Sequence, residues 1–222
     1  MNFDFCPWYY TAGGIKKSTF SSILEPIIQS TILRYWATRL QRGGPFQIDV
    51  PFTARAVFAE RMMQPPEDVL KYLLSVIRIS ERMVYRSVYV AGAELTASID
   101  KDTTVPIDVP IIFDDSKGNR TAVYHPISVD NINRKAPSIY VARHGFIPNL
   151  LFLVEEVRID RVLLVYADRT LEITRTNLHV DNAKARFQYI ATGIKEGIRY
   201  KRFGSWCKTC PLSSNEKCGI LR

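Results

Sequence analysis

Residues 106–129 read PIDVPIIF, DDSKGN and RTAVYHPISV, and this stretch decides the fold class. Its two outer segments, 106–113 and 120–129, are rich in β-branched and aromatic residues, which favour β-strands. The Asp, Gly and Asn residues between them supply the backbone angles that a tight turn needs. The stretch therefore predicts two strands joined by a turn.

Upstream of this stretch, the sequence predicts two long helices and then a strand. Apolar residues recur at helical spacing over 18–42 and over 66–84, and residues 86–99 alternate with the period of a strand. Pro26 lies about two turns into the first helix, so we expect the first turns to form a separate piece. The region 45–85 is predicted as a helical insertion.

Downstream, the pattern predicts a helix over 149–157, a pair of strands and a last helix over 181–197. The strands are the apolar run RVLLVYA and its neighbour RTLEITRT, which together cover 161–176. Asp181 is expected near the start of the last helix and Gly197 just beyond its end. The order of elements predicts an α/β or α+β pattern with a mixed sheet, and α/β is the preferred class.

Composition and charge narrow the class of protein. No apolar run reaches about eighteen residues, so we expect no membrane span, and residues 1–10 carry an acid but no Lys or Arg, unlike a secretory signal. We therefore expect a cytoplasmic protein. The net charge of +8 favours a polyanionic partner, usually nucleic acid, although a solvated basic surface would give the same total.

The four cysteines form the clearest motif. Cys207, Cys210 and Cys218 lie in WCKTCPLSSNEKC, and Cys6 lies in FCPWYY near the other end. A reducing compartment disfavours disulfides, and four thiolates suit either tetrahedral zinc or an iron–sulfur cluster. Because a zinc ribbon normally has two local pairs, the cluster is the preferred interpretation, with zinc as the alternative.

CPWYY near the start together with GSWCKTCPLSSNEKC at the end resembles the RecB-like PD-(D/E)XK iron–sulfur nucleases, in particular the CRISPR-associated RecB-like exonucleases. The resemblance implies a restriction-endonuclease-like core in residues 1–198. It also implies a cluster-binding tail in residues 199–222, completed by Cys6. In this family one N-terminal and three C-terminal cysteines hold a 4Fe–4S cluster that staples the fold, so the ligands would be the four cysteines named above.

The family's catalytic site needs an Asp on one strand and a Glu-x-Lys on the next, where the carboxylates hold Mg²⁺ or Mn²⁺. In a first alignment, Asp108 is the metal-binding Asp. Val123 then stands in place of Glu, and His125 in place of Lys. This alignment agrees with the order of elements but breaks the site. His125 beside Asp108 could still bind a softer divalent metal, although a lone His is more often structural.

In a second alignment, Asp160 pairs with Glu172, and Gln188 lies on the next helix. This alignment supplies both carboxylates, which the first does not, but Thr174 stands in place of the Lys. Too little chain also remains between Gln188 and Cys207 for the strands that the fold normally adds. Solvated charges at strand ends would explain Asp160 and Glu172 equally. We prefer the first alignment, because topology is harder to change than one side chain.

A basic and aromatic segment precedes the cysteine tail. Cations there can neutralise phosphates and aromatic rings can stack on unpaired bases. The predicted nucleic-acid residues are Lys195, Arg199, Lys201, Arg202, Trp206 and Lys208.

These features predict a DNA-binding, catalytically weak or inactive relative of the nucleases, working with other protein subunits in a CRISPR-type or viral complex. An active metal-dependent exonuclease and a structural protein-contact subunit are the alternatives.

Overall fold

The two strands predicted within residues 106–129 lie inside a five-stranded mixed sheet. The computed structural model describes residues 20–41, 50–83, 87–115, 117–126 and 136–197. The strands are β1 Ser87–Asp100, β2 Thr103–Asp114, β3 Arg120–Tyr124, β4 Arg161–Val165 and β5 Thr170–Thr174. They follow one another in chain order across the sheet, and only the β3–β4 pair is parallel. The predicted α/β class with a mixed sheet is confirmed.

The β1–β2 hairpin is much longer than β3. The pairing of β2 with β3 extends only from Ile111, opposite Val123, to Asp114, opposite Arg120. The remainder of β2 pairs with β1 alone, and Asp108 lies in this part, opposite Glu94. The hairpin therefore extends past the end of β3.

Three helices form a layer on one face of the sheet: α1 Phe20–Gln41, α2 Val50–Ala59 and α3 Glu67–Met83. Their apolar sides share one buried cluster with residues Ile111, Phe113, Val123 and Val165 of the sheet. Helices α2 and α3 lie within the predicted insertion. Burying such a cluster is the main source of stability in a domain of this size.

Helix α1 continues without a break through Pro26, so the predicted separate first piece is wrong. Proline removes one helical hydrogen bond, but the flanking Leu24, Ile27 and Ile28 are all buried in the core cluster. Their burial holds the segment in the same helix.

The connection between β3 and β4 contains two short helices, α4 Ile139–Arg143 and α5 Phe146–Leu151. The helix predicted over 149–157 is therefore wrong beyond Leu151. The chain turns there because the next residues pair with the edge of β1: Ser98 N donates to Leu153 O at 3.0 Å, and Ala97 bridges Val154.

The last helix, α6, spans Asn177–Lys195 and so begins four residues before the predicted start. Thr176 Oγ1 accepts a hydrogen bond from His179 N, so Thr176 rather than Asp181 caps the helix. Gly197 follows the helix with a positive φ of 63°, as predicted for a residue beyond its end.

The described residues belong to two units, which we treat separately. Residues 20–183 form the unit that contains the sheet, and residues 184–197 belong to the second unit. None of the described helices is both long and apolar enough to cross a membrane.

Candidate functional site

The position that the first alignment gives to the catalytic Glu lies in the apolar core. Val123 is fully buried near the end of β3, between Ile111 on β2 and Leu163 on β4. The cluster around it includes Val76 and Ile77 of α3. A carboxylate at this position would have neither water nor a charged partner, so the surroundings match the valine that is present.

The position that the first alignment gives to the catalytic Lys, His125, is shielded from water as Val123 is. His125 follows β3 and is fully buried, with its Nε2 atom 2.8 Å from Ser80 Oγ on α3. The Ser80 hydroxyl donates its only hydrogen to Val76 O at 2.8 Å, so its oxygen accepts a hydrogen bond from His125. His125 therefore carries its proton on Nε2 and links α3 to the sheet.

The electrostatics agree with a neutral His125. Burial lowers the pKa of His125 from 6.5 to about 3. Its Nδ1 atom is buried and has no hydrogen-bond partner in the part of the chain that the structure describes. A neutral imidazole at this place cannot stabilise negative charge on a phosphate as a lysine would.

The structure does not bring Asp108 and His125 together. Residues 108–112 of β2 pair with β1 without a bulge, so successive side chains point to opposite faces. Ile111 and Val123 share the face that the helices cover, which places Asp108 on the other face, where it is exposed. The first alignment therefore yields an exposed carboxylate and a buried imidazole rather than a shared metal site.

In the second alignment, Asp160 has a structural role. Its Oδ2 atom accepts from Arg120 N at 3.1 Å, and its Oδ1 atom accepts from Arg158 Nε at 3.0 Å. The main chain of Asp160 also bonds to the O atom of Arg120 and the N atom of Arg175. These bonds join the first residues of β3 and β4 to the end of β5.

Glu172 is a surface residue of β5. Half of its side chain is exposed, and its nearest cation is Arg161, with Nη1 3.7 Å from Oε1. Arg161 also contacts Asp115 Oδ2 at 3.2 Å. The arginine therefore lies between two carboxylates and neutralises part of the charge that a metal ion would need.

These contacts form a continuous charged edge at the end of β2 and the starts of β3 and β4. The charged edge consists of Asp114, Asp115, Asp160 and Glu172 with Arg120, Arg158 and Arg161. Hydrogen bonds from Asn119, with smaller help from Arg161, lower the pKa of Asp115 to about 2. Hydrogen bonds between Asp115 and Asn119, with the Arg120–Asp114 ion pair, close the β2–β3 turn.

Several predicted residues lie apart from this geometry. Gln188 and Lys195 are exposed on α6, in the separate unit of residues 184–197. The remaining predicted residues, Cys6, Arg199, Lys201, Arg202, Trp206, Cys207, Lys208, Cys210 and Cys218, lie outside the described residues. Within the residues that are described, no three His, Cys, Asp or Glu side chains gather so that they could hold a metal ion.

The sequence analysis did not identify a cluster of rings between the β3–β4 connection and helix α6. His179 stacks on Phe152 with centroids 6.1 Å apart and meets the edge of His144 at 6.3 Å, and Tyr140 contacts His144 at 4.8 Å. Burial lowers the pKa of His179. The four-residue spacing of Tyr140 and His144 is a signal in the sequence that these two rings meet. No local pattern indicates that His179 joins them.

No model of a known protein family matches the chain, and no curated protein sequence matches it either.

Proposed function

We propose that this chain is a DNA-binding, catalytically weak or inactive relative of the RecB-like PD-(D/E)XK iron–sulfur nucleases. It would serve as a subunit of a nucleic-acid-processing complex of CRISPR or viral type. One observation carries the loss of catalysis: Val123 and His125, at the positions of the catalytic Glu and Lys, are both fully buried against α3. A site that binds phosphate and metal has to be open to water and to substrate.

The order of elements supports the first alignment. That alignment needs two consecutive strands, a helical connection, a strand pair, a helix and then the cysteine tail. The chain has β2 and β3, then α4 and α5, then β4 and β5, and then α6 before Cys207. This agreement between the order of elements and the first alignment does not depend on which side chains occupy positions 123 and 125.

The contacts of Asp160 and Glu172 weigh against the active-exonuclease alternative. Arginines accompany both carboxylates, and Asp160 uses both oxygen atoms for hydrogen bonds, one to Arg120 N and one to Arg158 Nε. A metal ion would have to displace Arg158 and the N–H of Arg120. The protein-contact alternative does not require Asp160 or Glu172 to bind a metal. Measurement of DNA binding tests it.

The first experiment combines cleavage with binding. We expect no nuclease activity above background with Mg²⁺ and at most slow cleavage with Mn²⁺. We also expect DNA binding that weakens steeply as salt rises, because each Lys or Arg on a phosphate releases condensed counterions. Replacing Lys201 and Arg202 with Ala should flatten the salt dependence by about one to two units.

Three outcomes separate the candidate functions. Efficient cleavage that disappears in Asp160→Ala and in Glu172→Ala would establish the second alignment. Absence of DNA binding even at low salt would favour the protein-contact role. Binding without cleavage is the result that the proposal requires.

The cysteine site has its own test. Protein purified without oxygen should contain iron and sulfide and absorb broadly near roughly 400 nm. Because metal binding at a site built from both ends of the chain is also folding free energy, Cys6→Ala should cost as much stability as Cys210→Ala. Stoichiometric zinc without iron would refute the cluster, and full metal content in Cys6→Ala would remove Cys6 from the ligand set.

A further inference from the structure

Helix α3 has a basic stripe on the side that faces away from the core. At about 100° per residue, Lys71, Ser75, Arg78 and Arg82 fall within a narrow sector of the helix surface. The opposite side buries Val69, Leu73, Val76 and Ser80. We call these four outward residues the α3 stripe, and its three cations are all exposed.

Two cations of the α3 stripe differ from the basic side chains of α1. On α1, Arg34 bonds to Glu60 at 2.5 Å, and Arg39 pairs with Glu81 of α3. These bridges tie the helices together. By contrast, Arg78 and Arg82 have no carboxylate or other polar partner within the described part of the chain.

The core does not require this arrangement. Like charges four residues apart weaken a helix, so the proximity of Arg78 to Arg82 does not itself stabilise α3. Lys71 is the partial exception, since its nitrogen lies 2.7 Å from Glu67, one turn earlier. Two adjacent unpaired guanidinium groups on a rigid helix are well suited to an anionic partner outside the chain.

We propose that the α3 stripe binds the phosphate backbone of the nucleic acid, as a second contact besides the segment before the cysteine tail. The proposal rests on the proposed DNA-binding function. Arg78 and Arg82 lie about 6 Å apart along the helix axis, at roughly 1.5 Å per residue, which is close to the spacing of neighbouring phosphates on one strand. Each guanidinium can donate two hydrogen bonds to one phosphate, and the Ser75 hydroxyl can add another.

The contact is sequence-independent, because it involves phosphates and no base edges. Duplex DNA is the partner that fits best, since its backbone presents regularly spaced charges to a straight helix. An ordered helix whose inner side is fixed in the core loses little conformational freedom on binding.

The test measures the salt dependence of duplex DNA binding by the full-length protein. In Arg78→Gln/Arg82→Gln we expect the logarithmic salt slope to fall by about 1.8 units, from roughly 0.9 per phosphate contact. The matched control is Arg55→Gln/Arg61→Gln, which removes the same charge from two other exposed residues of the helical layer. The control should change the slope much less, and Arg78→Lys/Arg82→Lys should retain most of it.

Arg82 also lies in the last turn of α3, where a cation stabilises the helix dipole. If the double variant unfolds, Arg78→Gln alone, away from the helix end, should lower the slope by about one unit. Equal losses in the stripe and control variants, or an unchanged slope in folded stripe variants, would overturn the α3 stripe. If Lys201→Ala/Arg202→Ala still weakens binding in that case, the proposed function stands; if the wild-type protein binds no DNA, both fail.

Discussion

The buried end of β3, with Val123 and His125, and the charged edge at the start of the same strand differ in how polar groups are placed in one sheet. At the buried end, Val123 and His125 lie in a dry core, and His125 is hydrogen-bonded to Ser80. At the charged edge, four carboxylates are exposed or half-buried and are accompanied by arginines. Positions 123 and 125 at the buried end therefore carry no carboxylate that could bind a metal. The carboxylates of the charged edge are partly neutralised by arginines.

The difference shows that a sequence motif in the right order does not make a site. A metal centre needs carboxylates that are close together, partly hydrated and without competing cations. The buried end fails the first two conditions and the charged edge fails the last. Three predictions test this contrast, from the largest expected effect to the smallest.

Placing a carboxylate at position 123 should damage the fold. Val123→Glu would bury a charge inside the core cluster, and we expect it to lower the free energy of unfolding by about 3–5 kcal/mol. The control Val123→Ala removes only apolar contacts and should cost about 1–3 kcal/mol. Urea unfolding of both variants measures the difference. Equal stabilities would mean that water reaches this position and that the buried end is not dry.

The stability of the buried end should depend on pH. The folded-state pKa of His125 is about 3, below its ordinary 6.5, so the unfolded chain binds a proton first as pH falls. The contribution of His125 is therefore fully present above pH 6.5 and is lost progressively as pH falls towards about 3.

The variant His125→Gln isolates this effect, because glutamine can still donate to Ser80 but does not titrate. Unfolding free energies of the wild-type protein and the variant should converge or cross as pH falls from 7 to 4. Parallel curves would show that His125 titrates normally and is accessible to water.

Within the charged edge, Asp160 should matter more than Glu172. Asp160→Ala leaves the N–H of Arg120 without its acceptor, and we expect a loss of about 1–3 kcal/mol. Glu172→Ala removes one exposed ion pair and should change stability by less than about 1 kcal/mol. Thermal unfolding of the two variants gives the comparison. Similar losses from both would indicate that the two carboxylates act as one site.

The sequence by itself was sufficient for the elements that local rules control. The residue types of 106–113 and 120–129 and the DDSKGN turn predicted β2 and β3, although β3 ends at Tyr124, before the predicted end. Helical periodicity predicted α3 to within one residue at each end. That Val123 and His125 stand where the first alignment places Glu and Lys was visible without any structure. The cysteine ligand set stays a prediction from the sequence.

Only the tertiary structure decided what depends on contacts between distant segments. The helix predicted through Val157 ends at Leu151 because Leu153 and Val154 pair with β1, which lies far upstream. The face on which Asp108 lies depends on strand register, and a shift of one residue would reverse it. His125 is buried because α3, which carries its partner Ser80, packs on this end of β3. Local pattern fixes the period of an element, whereas burial and register come from the free energy of packing elements together.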